Sequence, residues 1–459
     1  MNQTAVEPHI PFIATGSYPV RAGNAVRPLV DGEPAFRCIA AAVYAARRSI
    51  WLTVTFMTPD FRMPGSADGL FDMLDRAVAR GLDVRVIFWR HNSQSSGYGK
   101  TFFGSPADRD MLRARRARFR IRWDRAHGAF CQHQKMWLID AGLPSETAFV
   151  GGMNLRPSYV ASPGHTDVDG IHDLYVEVTG PAASDVHHNF AQRWNEASER
   201  AAVDGTWAHT GDDDLAFPTR LSGAAGNSVV QIQRTIHAGL YRDGQSSPGG
   251  RSFDIAKGEQ SILDQYLKAI DAARHAIYIE NQAVPFQPVA ERLEASLKRG
   301  VEVVVLVPAE PEEAVRTARR NPEFRAHFDR IAALGRHENF SLVGIAGVDA
   351  QGTRAPVYVH AKAMLVDDAW ATIGSCNLHR ASLVGNTEIN VSFWDPQVVR
   401  ALRCALLAEH LGQDTAHLDS AAALRLYRRI AGENAARRQA GDSRWNGLAF
   451  TLDAAIYGE

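Results

Sequence analysis

Two stretches of the chain place a histidine and a lysine two residues apart and follow them with the same kinds of residue. Residues 130–154, FCQHQKMWLIDAGLPSETAFVGGMN, carry His133, Lys135, Asp140, Gly152 and Asn154. Residues 357–377, VYVHAKAMLVDDAWATIGSCN, carry His360, Lys362, Asp367, Ser375 and Asn377. In an extended strand, side chains two apart share a face, so each imidazole stands beside an ammonium. That pairing suits a phosphoryl centre: the imidazole attacks or donates a proton, and the ammonium meets the negative charge. The chain has 50 Lys plus Arg, of which only Lys100, Lys135, Lys257, Lys268, Lys298 and Lys362 are lysine. A lysine in both stretches therefore points to a compact point charge in preference to a planar fork. The amides of Asn154 and Asn377 could add hydrogen bonds to the same oxygens.

A catalytic imidazole needs an acceptor for its other ring nitrogen, which fixes the tautomer and stabilises the cation. After each motif comes a strand that opens on an acid: Asp173 in HDLYVEVTGP, and Glu388 in NTEINVSF. These two occupy matching places and are the candidate orienting groups. Asp140 and Asp367 lie five residues beyond their lysines and read as structural turn or salt-bridge residues. With the halves facing each other, one neutral histidine attacks phosphorus, and the other, protonated, gives its proton to the departing oxygen. No step calls for a metal or cofactor, and no local metal-ligand spacing stands out.

The elements that must position these groups are repeated. AARRSIWL at 45–52 matches AARHAIYI at 272–279, an offset of 227 residues that also relates His133 to His360 and Asp140 to Asp367. ARGLDVRVI at 79–87 matches KRGVEVVVL at 298–306. Helical spacing over 35–48, 70–80 and 106–116 alternates with strand patterns at 49–56, 83–89 and 119–123, which predicts a parallel or mixed sheet with helices on its faces. The expected organisation is a lead-in over 1–34, one αβ repeat over 35–205, a second over 228–413, and a helical C-terminal extension over 414–459. The Gly- and Ser-rich stretch 237–261 reads as a loop, and the Arg-rich helix near the C-terminus as solvated and packed on the rim.

Composition sets limits. A chain of 459 residues with 45% hydrophobic and 22% charged residues is an ordinary globular one, and a net charge of -1 gives no overall basic field for nucleic acid. The local run Arg113, Arg115, Arg116, Arg118, Arg120 and Arg122 is an exception. Four cysteines without C-x-x-C spacing fit a reducing compartment. No signal-like N-terminus and no apolar run of about 20 residues is present, so a cytoplasmic protein that meets a membrane only from its surface is expected. Phe102 and Phe103, or Phe56, Met57 and Phe61, could touch a bilayer, although such aromatics are more commonly core.

The paired H-x-K-x-x-x-x-D elements, each followed by a G-[GS]-x-N turn, resemble the signature motifs of the phospholipase D superfamily. The resemblance runs from about residue 35 to 413. It implies a duplicated αβ sandwich around one shared site, a phosphohistidine intermediate, and metal-independent exchange of phosphodiester substituents. By that analogy His133 is the nucleophile and His360 the acid. IYIENQ at 277–282 is similar to a segment upstream of the second motif in eukaryote-like phospholipases, which makes Asn281 and Gln282 candidate substrate-binding residues beside Ser375 and Gly152. GGMN followed by HDLYVEVTGP resembles bacterial cardiolipin synthases. Gly152 departs from the pattern, standing where many members carry the Ser found at 375. The expected substrate is a phospholipid, with water or an alcohol as acceptor. A nuclease using the same histidines, or a non-catalytic phosphate-binding protein, is the alternative.

Overall fold

The computed structural model describes residues 9–90, 102, 104–126, 130–167, 169–198 and 213–459. Its repeats share one strand order. In the first, Arg21–Val30 pairs with Leu174–Thr179, which pairs with Thr147–Gly151, then Met136–Ile139, then Ser49–Val54, all antiparallel. Asp83–Trp89 and Arg120–Asp124 continue that sheet in parallel. In the second, Ser228–Ile236, Glu388–Trp394, Trp370–Gly374, Lys362–Val366 and Ala276–Asn281 repeat the antiparallel series. Glu302–Leu306 and Phe340–Val348 repeat the parallel one. The expected mixed sheet and duplication are what the chain adopts.

Side-chain alternation decides where each strand's faces go. Met136 and Leu138 join a core shared by both repeats, with Ala363, Leu365, Phe190 and Leu406. Trp137 and Ile139 face the first repeat's own outer core, and Met364 and Val366 that of the second. The sheets thus pack around a common interior and each carries helices such as Gly32–Ala45 and Ser261–Ala272 on its outer side. Helix Pro396–Leu411 starts where local chemistry dictates: Pro396 occupies the first turn, and Asp395 accepts the backbone N–H groups of Gln397 and Val398.

Two expectations need correction. The lead-in over 1–34 contains the first strand of the first repeat, Arg21–Val30, and this strand also touches its counterpart Ser228–Ile236 at Arg21↔Val230 and Asn24↔Ser228. Gly23, Asn24 and Pro28 interrupt its pattern, which is why the sequence reads as irregular there. The extension over 414–459 is not a rim helix. Ser420–Gln439 buries Leu424, Tyr427 and Ile430 in the shared core, and Ala449–Thr451 adds an antiparallel strand to Phe340–Val348.

The motif aspartates are clasps. Asp367 Oδ1 accepts the backbone N–H groups of His275 and Ala276, and its Oδ2 that of Arg274. Asp140 Oδ1 likewise accepts from Arg47, Arg48 and Ser49. Both sit at positive φ, 53° at Asp367 and 59° at Asp140, which Asp tolerates better than most residues. Asp367→Ala is expected to strip three donors of a charged acceptor and lower stability by about 3 kcal/mol. Chemical denaturation should show it, with activity per folded molecule retained.

Candidate active site

Each motif histidine is positioned by the other repeat. The segment before His133 bridges the segment before Glu388: Gln132 pairs with Thr387, and His133 N–H donates to the Thr387 carbonyl at 3.0 Å. On the other side Tyr358–Val359 runs parallel to Ile171–His172, and His360 N–H donates to the His172 carbonyl at 2.8 Å. The side chains follow. His133 Nδ1 lies 2.9 and 3.0 Å from the Glu388 carboxylate oxygens, and His360 Nδ1 lies 2.6 Å from Asp173 Oδ2. The pairs are crossed, first-repeat histidine to second-repeat acid and the reverse. A carboxylate only accepts, so each imidazole carries its proton on Nδ1 and presents Nε2 as the free nitrogen.

The lysines are fastened to their own strands. Lys135 Nζ donates to the His133 carbonyl at 2.8 Å and reaches Thr55 Oγ1 at 3.4 Å. Lys362 Nζ donates to the His360 carbonyl and, at 3.2 Å, to Gln282 Oε1. Thr55 and Gln282 are related by the 227-residue repeat offset, so Thr55 was findable from the sequence once Gln282 had been named. Gln282 also donates to Tyr358 Oη at 2.8 Å. Asn281 does not reach Lys362: its Oδ1 accepts the N–H groups of Leu378 and Ala283, holding the turn after the second motif. Asn154 donates to Tyr159 Oη at 2.8 Å, and the Tyr159 ring meets His360 edge-on with centroids 5.2 Å apart. Asn154 Oδ1 and Asn377 Oδ1 are buried without hydrogen-bond partners. Tyr159 and Tyr358 had no signal in the motif spacing.

Gly152 and Ser375 make the halves unequal. Ser375 Oγ donates to Glu388 Oε2 at 2.6 Å and accepts from Ile389 N–H. At Gly152 a Cβ would come within 2.4 Å of Asp173 Oδ1, so the carboxylate occupies the room a serine would need. The departure from the motif follows from that steric fact.

Electrostatics follow from burial. His133 is pushed down to about 4 by desolvation and the neighbouring ammoniums, against the pull of Glu388. His360 falls well below its ordinary value, again through burial and then Lys362 and Lys135. Burial lowers Lys135 to about 8 and Lys362 to about 7, although Glu388 and Asp173 respectively oppose it. Asp173 is raised to about 7 by desolvation. Glu388 is held below the carboxylate range, because His133, Lys135 and the Ser375 hydroxyl outweigh its burial. Two buried lysines and two imidazoles converge on one place. Ammonium groups lose their protons as pH rises through those values. Affinity for a phosphodiester of fixed charge should therefore fall from pH 7 to 9 by roughly tenfold per unit for each lysine titrated. Equilibrium titration across that range checks it.

The basic run at 113–122 does not form a continuous ridge. Arg122 is buried against Trp194 and paired with Asp213, and Arg115 is paired with Asp72 and Asp75. Phe102, Met57 and Phe61 are core residues, and Phe103 lies outside the described residues. Among the described residues, no helix is long and apolar enough to cross a membrane.

Comparison with known proteins gives the family. The pattern of the family described as "Cardiolipin synthase, PLD-like domain" matches residues 39–194 and 266–408, and that described as "Phospholipase D" matches 163–286. The chain belongs to the phospholipase D superfamily. It is 25% identical to phospholipase D A of Dictyostelium discoideum over 82% of its own length and 33% of that protein. It is also 25% identical to cardiolipin synthase A of Pseudomonas putida, over 82% of the chain and 66% of that protein. The chain thus spans between a third and two thirds of these relatives. The crystal structure of phosphatidylserine synthase from Haemophilus influenzae Rd KW20 shares the fold, with a TM-score of 0.53 and 15% identity over 82% of this chain and 83% of that one.

Proposed function

We propose that this superfamily member is a phosphodiesterase or phosphatidyltransferase acting on phospholipids through a phosphohistidine intermediate. The crossed His–carboxylate pairs carry the reading, since they arm two imidazoles with two lysines between them. His133 Nε2 attacks phosphorus and the P–O bond to the headgroup breaks. With the negative charge of the phosphodiester against it, His360 takes up a proton on Nε2, gives it to the departing oxygen, then takes one from the incoming water or alcohol, which displaces His133. Lys135, Lys362 and the two asparagine amides meet the charge that grows on the phosphoryl oxygens. The nucleophile's assignment rests on Ser375. Glu388 is anchored by that hydroxyl and holds His133 as a neutral, oriented base, whereas Asp173 faces glycine and is held by the Leu174 backbone N–H instead of a hydroxyl.

The lipid reading over the nucleic-acid one rests on the near-neutral charge, the tied-down arginines and the names of the relatives. The purified protein should be offered mixed phospholipid vesicles with glycerol, and separately plasmid and single-stranded DNA. Phosphatidic acid shows water as acceptor, and phosphatidylglycerol shows the alcohol. DNA cleavage with intact lipid overturns the reading in favour of a nuclease.

A further inference from the structure

Beside the phosphate-facing residues lies a second buried set of ionisable groups that the chemistry above does not use. His172, which precedes Asp173, is its centre. Asp31 comes from the end of the first strand, and His165 from the connection 155–172, which is longer than its counterpart 378–387. Glu409 comes from helix Pro396–Leu411 of the second repeat. The donor atoms of these four residues all lie within 4.8 Å of one another. Asp31, His165 and His172 are at most 1% exposed, and the Glu409 side chain 8%.

The three separations around His165 are those of a coordination shell, and His172 is hydrogen-bonded to the other oxygen of Asp31. His165 Nε2 is 3.3 Å from His172 Nδ1, 3.5 Å from Asp31 Oδ2 and 3.4 Å from Glu409 Oε1, and His172 Nδ1 is 2.9 Å from Asp31 Oδ1. Nitrogen and oxygen ligands at about 2.0–2.2 Å from a tetrahedral ion stand about 3.3–3.6 Å apart. The outer ring nitrogen of His172 faces Glu280 Oε2 at 3.0 Å, and Tyr278 Oη donates to Glu280 Oε1 at 2.7 Å. A carboxylate behind a metal-bound imidazole is the usual outer partner of such a ligand. Asp31 Oδ2 is buried and makes no hydrogen bond of ordinary length, having only His165 Nε2 at 3.5 Å, and although Asp31 precedes helix Gly32–Ala45 its side chain does not cap it. An imidazolium at His172 between Asp31 and Glu280 would satisfy that residue alone. It leaves His165 Nε2 shared between two further carboxylate oxygens, Asp31 Oδ2 and Glu409 Oε1, a convergence that one ion at that point would serve directly.

We propose that Asp31, His165, His172 and Glu409 bind one divalent transition-metal ion, Zn²⁺ by the character of the two-nitrogen, two-oxygen donor set. The ion is structural and takes no part in phosphoryl transfer. It ties the first strand, the long connection and a second-repeat helix to the residue before Asp173. The inference stands on ligand geometry and does not need the lipid reading to be right.

The test is metal content of the untagged full chain, expressed with added Zn²⁺, desalted and analysed for first-row transition metals. About one ion per chain is expected in the wild type, in His133→Ala and in His410→Gln, falling roughly tenfold in His165→Gln and Glu409→Gln. Co²⁺ added to the metal-stripped wild type should give the visible absorption of a tetrahedral site, which needs no variant to fold. Zn²⁺ should raise the Tm of that stripped protein. A wild type that holds no ion and does not respond to Co²⁺ or Zn²⁺ overturns the proposal. So does unchanged metal content in both ligand variants. Loss in His410→Gln with retention in His165→Gln also overturns it, moving the ion to the neighbouring group His172, Glu280 and His410.

Discussion

With an ordinary phospholipid, His133→Ala and His360→Ala each lose on the order of 10⁴ to 10⁶ in kcat, because residues that act as a unit fail singly. A substrate with a p-nitrophenolate leaving group separates their roles. That anion departs without a proton, so His360→Ala should still form the phosphoryl-enzyme and then accumulate it, as no base remains to activate water. Intact mass spectrometry should show the phosphatidyl adduct, mapped to His133. His133→Ala should form none with either substrate. An adduct on His360 in the His133→Ala protein would reverse the assignment.

The second large effect tests the crossing. Glu388→Gln keeps the shape of its partner but offers His133 an amide, which can donate to Nδ1 and so hold the wrong tautomer. A loss of about 10³ to 10⁴ in kcat is expected, and Asp173→Asn should do the same to His360. The informative measurement is the pair of double-mutant cycles. Glu388→Gln should add little to His133→Ala, with a coupling on the order of 2 kcal/mol or more, while Asp173→Asn couples in that way to His360→Ala. Stronger coupling within each repeat, Asp173 with His133 or Glu388 with His360, would contradict the geometry of 2.9 Å and 2.6 Å pairs seen here.

Much of this was legible in the sequence because it was written twice. A repeated offset needs no alignment, and it related the His–Lys pairs and the helices and strands around them, while the asparagines followed from the matching turn after each pair. Spacing could not say which acid meets which histidine. Asp173 and Glu388 occupy matching places, and only the bridges between residues 132 and 387 and between 358–359 and 171–172 cross them. Arg21–Val30 escaped because glycine and proline broke its alternation. Asp31, His165, His172 and Glu409 escaped for a different reason. They come from three separated segments, and only His165 and His172, seven residues apart, share one, so no short ligand spacing exists to be found. Thr55 hid because the repeat conserves its position relative to Lys135 but not its residue type.

The crossed pairing has a consequence for descent. Neither half owns a working histidine, since each takes its carboxylate from the other. A lone copy of the unit could work only by pairing with a twin, and symmetry would then give both imidazoles the same neighbours. Joining two copies in one chain lets them drift apart without losing each other. Ser375 beside one acid and a bare glycine beside the other are the trace of that division of labour: two inherited equals that have become specialists.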